Sequence, residues 1–322
     1  METRKLGQTD LTVSRICFGT MTFGSQMDEA TAHRTLDYCI GQGINFIDTA
    51  NVYNRGESEK ITGRWLARNR NKVVLATKVR GKMGDGPDEQ GLSKGAILKA
   101  VDASLERLQT DHVDLYYLHQ PDYEVPVEES LEAMESLVKA GKVRYPASSN
   151  YSGWQVAEML CLAEKRRWTP ATVTQPMYNL LARGIEQEYL AMTRHFGVAT
   201  CVYNPLAGGM LTGKQHRDKP QPGTRFDNNQ MYLDRYWHPA YFDAVERLGR
   251  IAQAAQRSLI SLSLNWLLHH TPADCVILGA SRLEQLEQNL KTLADGPLSK
   301  ETLEACDQVW RDLRGITPKY NR

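Results

Sequence analysis

The chain has 322 residues, of which 41% are hydrophobic and 24% are charged, and these proportions are typical of a globular protein. A collagen-like, coiled-coil or largely disordered chain is therefore excluded. Lysine and arginine together number 39 against 38 acidic residues, so we expect no general attraction to nucleic acid or to an anionic membrane.

The cysteines and the apolar runs indicate a cellular location. The six cysteines are scattered and form no Cys-x-x-Cys pair, so no disulfide framework and no metal site are predicted. The first residues lack the apolar stretch of a signal peptide, and no run reaches the roughly 18 apolar residues of a membrane span. We therefore expect a cytoplasmic protein.

Short apolar runs alternate with amphipathic segments along most of the chain. Eight runs have the composition of strands that are buried on both faces of a parallel sheet. They are residues 15–18, 44–47, 73–77, 113–118, 142–145, 172–174, 198–203 and 275–278. The amphipathic segments predict helices over residues 30–42, 93–109, 127–140, 155–165, 185–196 and 283–293.

Eight strands joined by helices predict an α/β protein of the (β/α)8 TIM-barrel type, whose usual size is about 250 residues. The other residues form three additions: an N-terminal β-hairpin over 1–14, a long loop after strand seven over 214–239, and an extra C-terminal helix over 298–314. Length alone suggests two domains, but the strand count favours one barrel domain over 1–322. A doubly wound fold is disfavoured, because no Gly-x-Gly-x-x-Gly follows the first strand.

Polar side chains follow three consecutive predicted strands, at the barrel end where chemistry takes place in such folds. Asp48 and Tyr53 follow the second strand, Lys78 follows the third and His119 the fourth. A tyrosine with its ordinary pKa near 10 is a poor proton donor at neutral pH, and a nearby lysine cation lowers that pKa. A carboxylate would offset the burial of the lysine, and a neutral histidine would orient a substrate oxygen.

Each of these four residues also has an ordinary structural explanation when it is taken alone, as a rim tyrosine, an ion-pair partner or a strand-end histidine. Their coincidence at three successive strand ends favours a site that protonates a carbonyl oxygen. Two later features favour an anion. A glycine-rich segment follows strand seven and either approaches a phosphate with its backbone N–H groups or is a hinge. Ser281 and Arg282 precede a predicted helix, whose N-terminus attracts anions; taken alone, they are equally well explained as an ordinary helix cap and a solvated arginine.

Together these residues resemble the aldo-keto reductase superfamily over nearly the whole chain. Residues 4–7 (Arg-Lys-Leu-Gly) and 56–59 (Gly-Glu-Ser-Glu) resemble its branch of bacterial general reductases and potassium-channel β subunits. The most specific segments are residues 43–53, the strand that ends in Lys78, residues 114–119, and residues 279–282 with Gln285 and Asn289. The resemblance implies NADPH-dependent reduction of aldehydes or ketones to alcohols by hydride transfer. It implies Tyr53 as the general acid, Lys78 and Asp48 as its supporting pair, and His119 as the residue that orients the carbonyl.

The resemblance also implies a set of cofactor-binding residues. The nicotinamide carboxamide would bind Ser149, Asn150 and Gln175, and its ring would stack on Tyr203. The pyrophosphate would be wrapped by the segment that includes Asn204, Pro205, Leu206, Gly208, Gly209, Leu211, Gly213 and Lys214. The adenosine end would bind Gly279, Ser281, Arg282, Gln285, Gln288 and Asn289. Among these, Ser281 and Arg282 would hold the 2′-phosphate, because a guanidinium suits a phosphate, and Gln285 and Asn289 would address adenine.

The chain departs from the family pattern at two places. Pro146 and Ala147 stand where a bulky residue and a glycine usually precede the Ser-Asn pair, and Gln288 stands where an acid often precedes the asparagine. The aromatic residues of 214–239 either form a lid over the substrate or attach the loop to the barrel.

Two other functions are weighed against a reductase. A cofactor-sensing regulatory subunit of a protein complex, with little turnover, is the alternative, and a metal-dependent hydrolase is disfavoured because no metal ligands cluster. The expected partner is a small carbonyl substrate. The sequence leaves open which substrate it is, the direction of the reaction and whether the protein forms a homo-oligomer.

Overall fold

The computed structural model of the protein describes residues 1–227 and 229–316. The chain begins with the predicted hairpin, in which β1 (Thr3–Lys5) pairs antiparallel with β2 (Thr12–Ser14). The turn between these strands is fixed to the barrel through Asp10, whose carboxylate accepts from Arg144 at 2.8 Å and from the Tyr145 hydroxyl at 3.0 Å.

Eight parallel strands then form a closed barrel in chain order. They are β3 (Ile16–Gly19), β4 (Phe46–Asp48), β5 (Val74–Val79), β6 (Val113–Leu118), β7 (Val143–Ser149), β8 (Val173–Gln175), β9 (Ala199–Val202) and β10 (Cys275–Gly279). β10 pairs with β3 and so completes the circle. The predicted (β/α)8 barrel is confirmed, and each predicted strand is present with its ends displaced by up to four residues.

Helices connect the strands and extend the chain beyond the barrel. They are α1 (Glu29–Gly41), α2 (Glu57–Leu66), α3 (Lys94–Leu108), α4 (Val127–Lys139), α5 (Gly153–Arg166), α6 (Tyr189–Phe196), α7 (Gln230–Tyr236), α8 (Pro239–Ala254), α9 (Leu259–His270), α10 (Leu283–Lys291) and α11 (Lys300–Arg314). Side-chain caps define several of the starts; Ser93, for example, accepts from the N–H of Ala96 at 3.1 Å. None of the helices within the described ranges is long and apolar enough to cross a membrane.

Two of the helices that the sequence did not predict, α2 and α9, are buried along most of their length and lack a broad polar face. Every residue of α9 from Ser261 to Leu268 is buried, so the helix has no two-sided pattern of the kind that marks a surface helix. In α2 the buried side includes Ser58, Glu59 and Thr62. The predicted helix over 185–196 was too long, because a 3-10 turn (Gly184–Glu186) comes first and α6 begins only at Tyr189.

The chain divides into two compact units. The first contains Met1–Pro176, Glu188–Cys201 and Asp274–Leu286, and the second contains Met177–Gln187, Val202–Ala273 and the described residues from Glu287 onward. In the second unit, Arg183 is 9% exposed and forms ion pairs of 2.7 Å with Glu186 and Asp307.

The insertion over 214–239 belongs to the second unit, and its residue 228 lies outside the described ranges. It was predicted as a loop, but it contains α7. Phe226, Tyr232 and Tyr236 are buried, and the Phe226 ring lies 5.3 Å from that of Trp237. The hydroxyl of Tyr236 accepts from Nδ2 of Asn179 at 3.1 Å, and this contact attaches the segment to its own unit.

Candidate active site

The turn after β4 positions Tyr53. Three successive residues, Asn54, Arg55 and Gly56, have φ angles of +48°, +54° and +87°, a left-handed path that only glycine adopts without strain. Asn54 stabilises this path, because its Nδ2 donates to the carbonyl oxygen of Phe23 at 2.6 Å. α2 starts directly afterwards, so the chain leaves the barrel sharply and Tyr53 stays at the barrel end.

Lys78 lies in β5 and is 0% exposed. Its Nζ forms an ion pair with the Asp48 carboxylate and donates to the carbonyl oxygen of Thr49 at 2.7 Å. The same nitrogen lies 3.4 Å from the hydroxyl oxygen of Tyr53 and 5.0 Å from the centre of its ring. The structure thus brings an acid, an ammonium and a phenol into direct contact.

Burial alone would lower the pKa of the Lys78 ammonium, but the charges of Asp48 and of an ionised Tyr53, with the hydrogen bonds to both, together outweigh burial and raise that pKa above its usual range. Lys78 is therefore a permanent cation in a dry environment. A phenol beside such a cation is stabilised in its charged form, because the opposite charges attract more strongly away from water.

His119 follows β6 and completes the group of four. Its ring meets that of Tyr53 edge-on, with centroids 6.0 Å apart, and its backbone N–H donates to the carbonyl oxygen of Val79 at 3.0 Å. Burial, together with the positive charges of Lys78 and Arg80, lowers the pKa of His119 to about 3. The imidazole is thus neutral at physiological pH.

The three residues that were predicted to bind the carboxamide lie beside this group. The hydroxyl of Ser149 donates to the backbone oxygen of Gln175 at 2.9 Å, and Asn150 Nδ2 donates to the backbone oxygen of His119 at 2.8 Å. Pro146 does not interrupt β7, since the strand runs through it to Ser149. The departure from the family pattern at this position thus leaves the strand intact.

Two contacts around the site carry no signal in the sequence. The Nε2 of Gln175 donates to Oδ2 of Asp48 at 2.9 Å. Glu59 of α2 is 0% exposed and accepts from Thr77 Oγ1 at 2.5 Å and from Arg107 Nε at 2.7 Å. Because Thr77 immediately precedes Lys78, Glu59 fixes α2 to the strand that carries the cation.

The chain is similar to known proteins over most of its length. The sequence profile of the aldo/keto reductase family matches residues 15–311. The chain is 38% identical to human aflatoxin B1 aldehyde reductase member 2, over 94% of this chain and 88% of that protein. It is also 38% identical to the uncharacterized oxidoreductase YrpG of Bacillus subtilis, over 99% of both chains.

The chain belongs to the aldo-keto reductase family. It is also 34% identical to a probable voltage-gated potassium channel subunit beta of Arabidopsis thaliana, over 92% of this chain and 93% of that protein. Both the family and the branch inferred from the sequence are therefore confirmed. Membership makes the chain an oxidoreductase of a family that generally uses NAD(P)H.

In this aldo-keto reductase the residues predicted for the 2′-phosphate lie at the start of α10. The N–H and the hydroxyl of Ser281 both donate to Oε1 of Gln285 at 2.9 Å, so Gln285, which was predicted to address adenine, here bonds to Ser281. Arg282 is exposed and has no ion-pair partner within residues 1–227 and 229–316. Gly279 is the last residue of β10.

The remaining residues that were predicted to bind the cofactor lie in the second unit of this aldo-keto reductase. Tyr203 pairs with Met177 in an isolated parallel bridge, and Nδ2 of Asn204 is buried without a hydrogen-bond partner among the described residues. Gly208 has a φ of +68°, and a Cβ there would lie 2.7 Å from the ring of Tyr232, so no other residue fits. Pro205, Leu211 and Asn289 are buried, Leu206 and Gly209 are half-buried, and Gly213, Lys214 and Gln288 are exposed.

Proposed function

We propose that this protein is an NADPH-dependent carbonyl reductase, which converts small aldehydes or ketones into alcohols with Tyr53 as the proton donor. The observation that carries the proposal is the contact of the buried Lys78 with both Asp48 and the Tyr53 hydroxyl, beside a neutral His119. A buried cation beside a phenol makes proton transfer from that phenol easier, whereas an ion pair with only a structural role does not require contact with a phenol.

Each of the four residues has one task in this mechanism. NADPH, when bound, would supply a hydride to the carbonyl carbon. The neutral His119 orients the carbonyl oxygen by a hydrogen bond, and the Tyr53 hydroxyl gives its proton to that oxygen. The Lys78 cation stabilises the phenolate that remains, and Asp48 keeps Lys78 charged in its buried position.

The Tyr53→Phe variant tests the assignment of the proton donor. It removes only the hydroxyl, and we expect carbonyl reduction to fall by about 10²-fold to 10⁴-fold, the usual contribution of general acid catalysis. NADPH affinity, followed by protein fluorescence, should stay close to that of the wild type. The rate is measured as NADPH absorbance over a panel of small aldehydes, ketones and sugars. Unchanged reduction would refute the role of Tyr53.

NADPH is proposed rather than NADH because Arg282 offers an exposed guanidinium that has no partner in the described part of the chain, and a guanidinium suits a phosphate. Arg282→Ala should weaken NADPH binding by about tenfold or more and leave NADH binding unchanged. Arg250→Ala, which removes an exposed arginine of α8, is the matched control and should change neither. Equal affinity of the wild type for the two cofactors would contradict this choice.

A second candidate, a cofactor-sensing subunit of a larger complex, is favoured by the similarity to the plant protein named as a probable potassium channel subunit beta. This candidate predicts that no aldehyde in the panel is turned over steadily. It also predicts that the tagged chain purifies with a stoichiometric protein partner. Steady turnover of an aldehyde by the isolated chain would favour the reductase over the regulatory subunit.

We further propose that residues 1–322 act as one domain in the cytoplasm. The match of a single family profile to residues 15–311, which includes parts of both compact units, supports the first part. Limited proteolysis should then yield no stable fragment that retains NADPH binding. Cell fractionation tests the location, and the protein should be recovered in the cytoplasmic fraction.

A further inference from the structure

Gln175 makes a contact that binding a nicotinamide carboxamide does not require. It is the last residue of β8 and is 4% exposed. Its Nε2 donates to Oδ2 of Asp48 at 2.9 Å. An ionised carboxylate can only accept hydrogen bonds, so the amide must present its nitrogen to Asp48.

Asp48 is consequently held at both oxygens. Lys78 contacts Oδ1 and Gln175 contacts Oδ2, and Asp48 is 2% exposed. Charge-assisted hydrogen bonds are about twice as strong as neutral ones, so Gln175 helps to fix the position of Asp48. The positive end of the amide dipole also offsets part of the negative potential that the carboxylate produces at neighbouring groups.

The other end of the Gln175 amide is available for a ligand. Its Oε1 has no hydrogen-bond partner among the described residues, whereas its backbone oxygen accepts from the Ser149 hydroxyl at 2.9 Å. Ser149 in turn accepts from Nδ2 of Asn150 at 3.1 Å, and Asn150 also bonds to the backbone of His119. Of the three residues assigned to the carboxamide, Gln175 thus contacts Asp48 and Asn150 contacts the backbone of His119.

We propose that Gln175 is a positioning residue for the proton donor, which holds Asp48 through Nε2 while its Oε1 accepts from the carboxamide of the cofactor. A single side chain then connects the bound nicotinamide to the pair formed by Lys78 and Tyr53. The inference rests on the proposed function for the identity of the ligand, but the link from Gln175 to Asp48 exists without any cofactor.

The sign of the effect follows from the amide dipole. Without the amide donor, nothing offsets that part of the negative charge of Asp48, so the electrostatic potential at the Tyr53 hydroxyl becomes more negative and its phenolate less stable. The phenol then ionises at a higher pH. The titratable groups that face Lys78 and Asp48 from the surrounding strands and loops are Cys17, Tyr53, Tyr117 and His119, and Gln175→Met changes none of them.

The test uses the full chain without cofactor. Gln175→Met keeps the length of the side chain and removes the amide, and with it the hydrogen bond to Asp48. Phenolate absorbance is recorded against pH, and the signal of Tyr53 is the difference between each protein and the same protein with Tyr53→Phe. We expect the midpoint of Tyr53 to rise by about 0.5 pH or more in Gln175→Met, the scale of one lost charge-assisted hydrogen bond.

Ser149→Ala is the matched control, because Ser149 is assigned to the same carboxamide but does not contact Asp48. It should weaken NADPH binding and leave the midpoint unchanged, while Gln175→Met changes both. Gln175→Leu is a second variant in case the first does not fold; it also lacks the amide donor and adds no charge, so the midpoint should again rise. An unchanged midpoint in a folded Gln175 variant overturns the proposal. Failure of the proposed function has a different signature, namely a wild type that does not reduce carbonyls.

Discussion

The buried pair of Lys78 and Asp48 gives the most quantitative prediction. Lys78 is 0% exposed and Asp48 is 2% exposed, so neither charge can turn to water when its partner is removed. Breaking a buried ion pair in this way costs about 3–5 kcal/mol, whereas an exposed pair is worth about 0–1 kcal/mol. We therefore expect Asp48→Asn and Lys78→Met each to lower the free energy of unfolding by about 3–5 kcal/mol.

The double variant separates this explanation from simple damage to the core. Asp48→Asn combined with Lys78→Met leaves no unpaired charge, and a buried pair replaced by uncharged side chains of similar volume is often close to neutral. The assay is urea unfolding followed by fluorescence for the wild type, both single variants and the double variant. Additive losses, or a cost below about 1 kcal/mol for Asp48→Asn, would refute the reasoning.

Three further predictions use the same unfolding assay. Glu59→Ala should cost about 3–5 kcal/mol, because it leaves Arg107 and Thr77 without their buried partner, while Glu29→Ala, which breaks an exposed pair with Arg64, should cost at most about 1 kcal/mol. The pKa of His119 is about 3 in the folded protein, below its ordinary value near 6.5. As the pH falls from about 6.5 toward 3, the unfolded chain therefore binds a proton that the folded protein does not, and the free energy of unfolding decreases. His119→Gln should reduce that decrease. Gly63→Ala would place a Cβ 2.2 Å from the backbone oxygen of Arg107 and should destabilise the protein by about 1–3 kcal/mol. Gly249→Ala, with nothing within 4 Å of its Cβ, should stabilise it by up to about 1 kcal/mol. A Gly63→Ala variant more stable than Gly249→Ala would contradict the close contact between α2 and α3.

The strands could be predicted because their burial determines their composition. β6 is buried at all six positions, and the corresponding run of the sequence has the nearly continuous apolar character of a central parallel strand. α9 is also buried along most of its length, and for the same reason its helical period is not visible. A helix can be recognised from the spacing of its apolar residues only when one of its faces is exposed to water and carries polar residues.

The four residues of the candidate site could be predicted because each lies at or just after the C-terminal end of a strand, and the barrel brings such positions together. The supporting contacts could not. Gln175 and Asp48 are 127 residues apart, and nothing in the residues around either one specifies the other. Glu59 resembles a surface acid at the start of a helix, and only the packing of α2 on the barrel shows that it is buried.

Transfer of a labelled hydride tests the central claim most directly. The wild-type protein is given NADPH that carries deuterium at the reactive C4 position, together with an aldehyde from the panel, and the alcohol is analysed by mass spectrometry. The proposed function predicts one deuterium on the carbinol carbon with the wild type, and at most a trace of product with Tyr53→Phe although that variant still binds NADPH. An alcohol without deuterium, or equal labelled product from Tyr53→Phe, would contradict it.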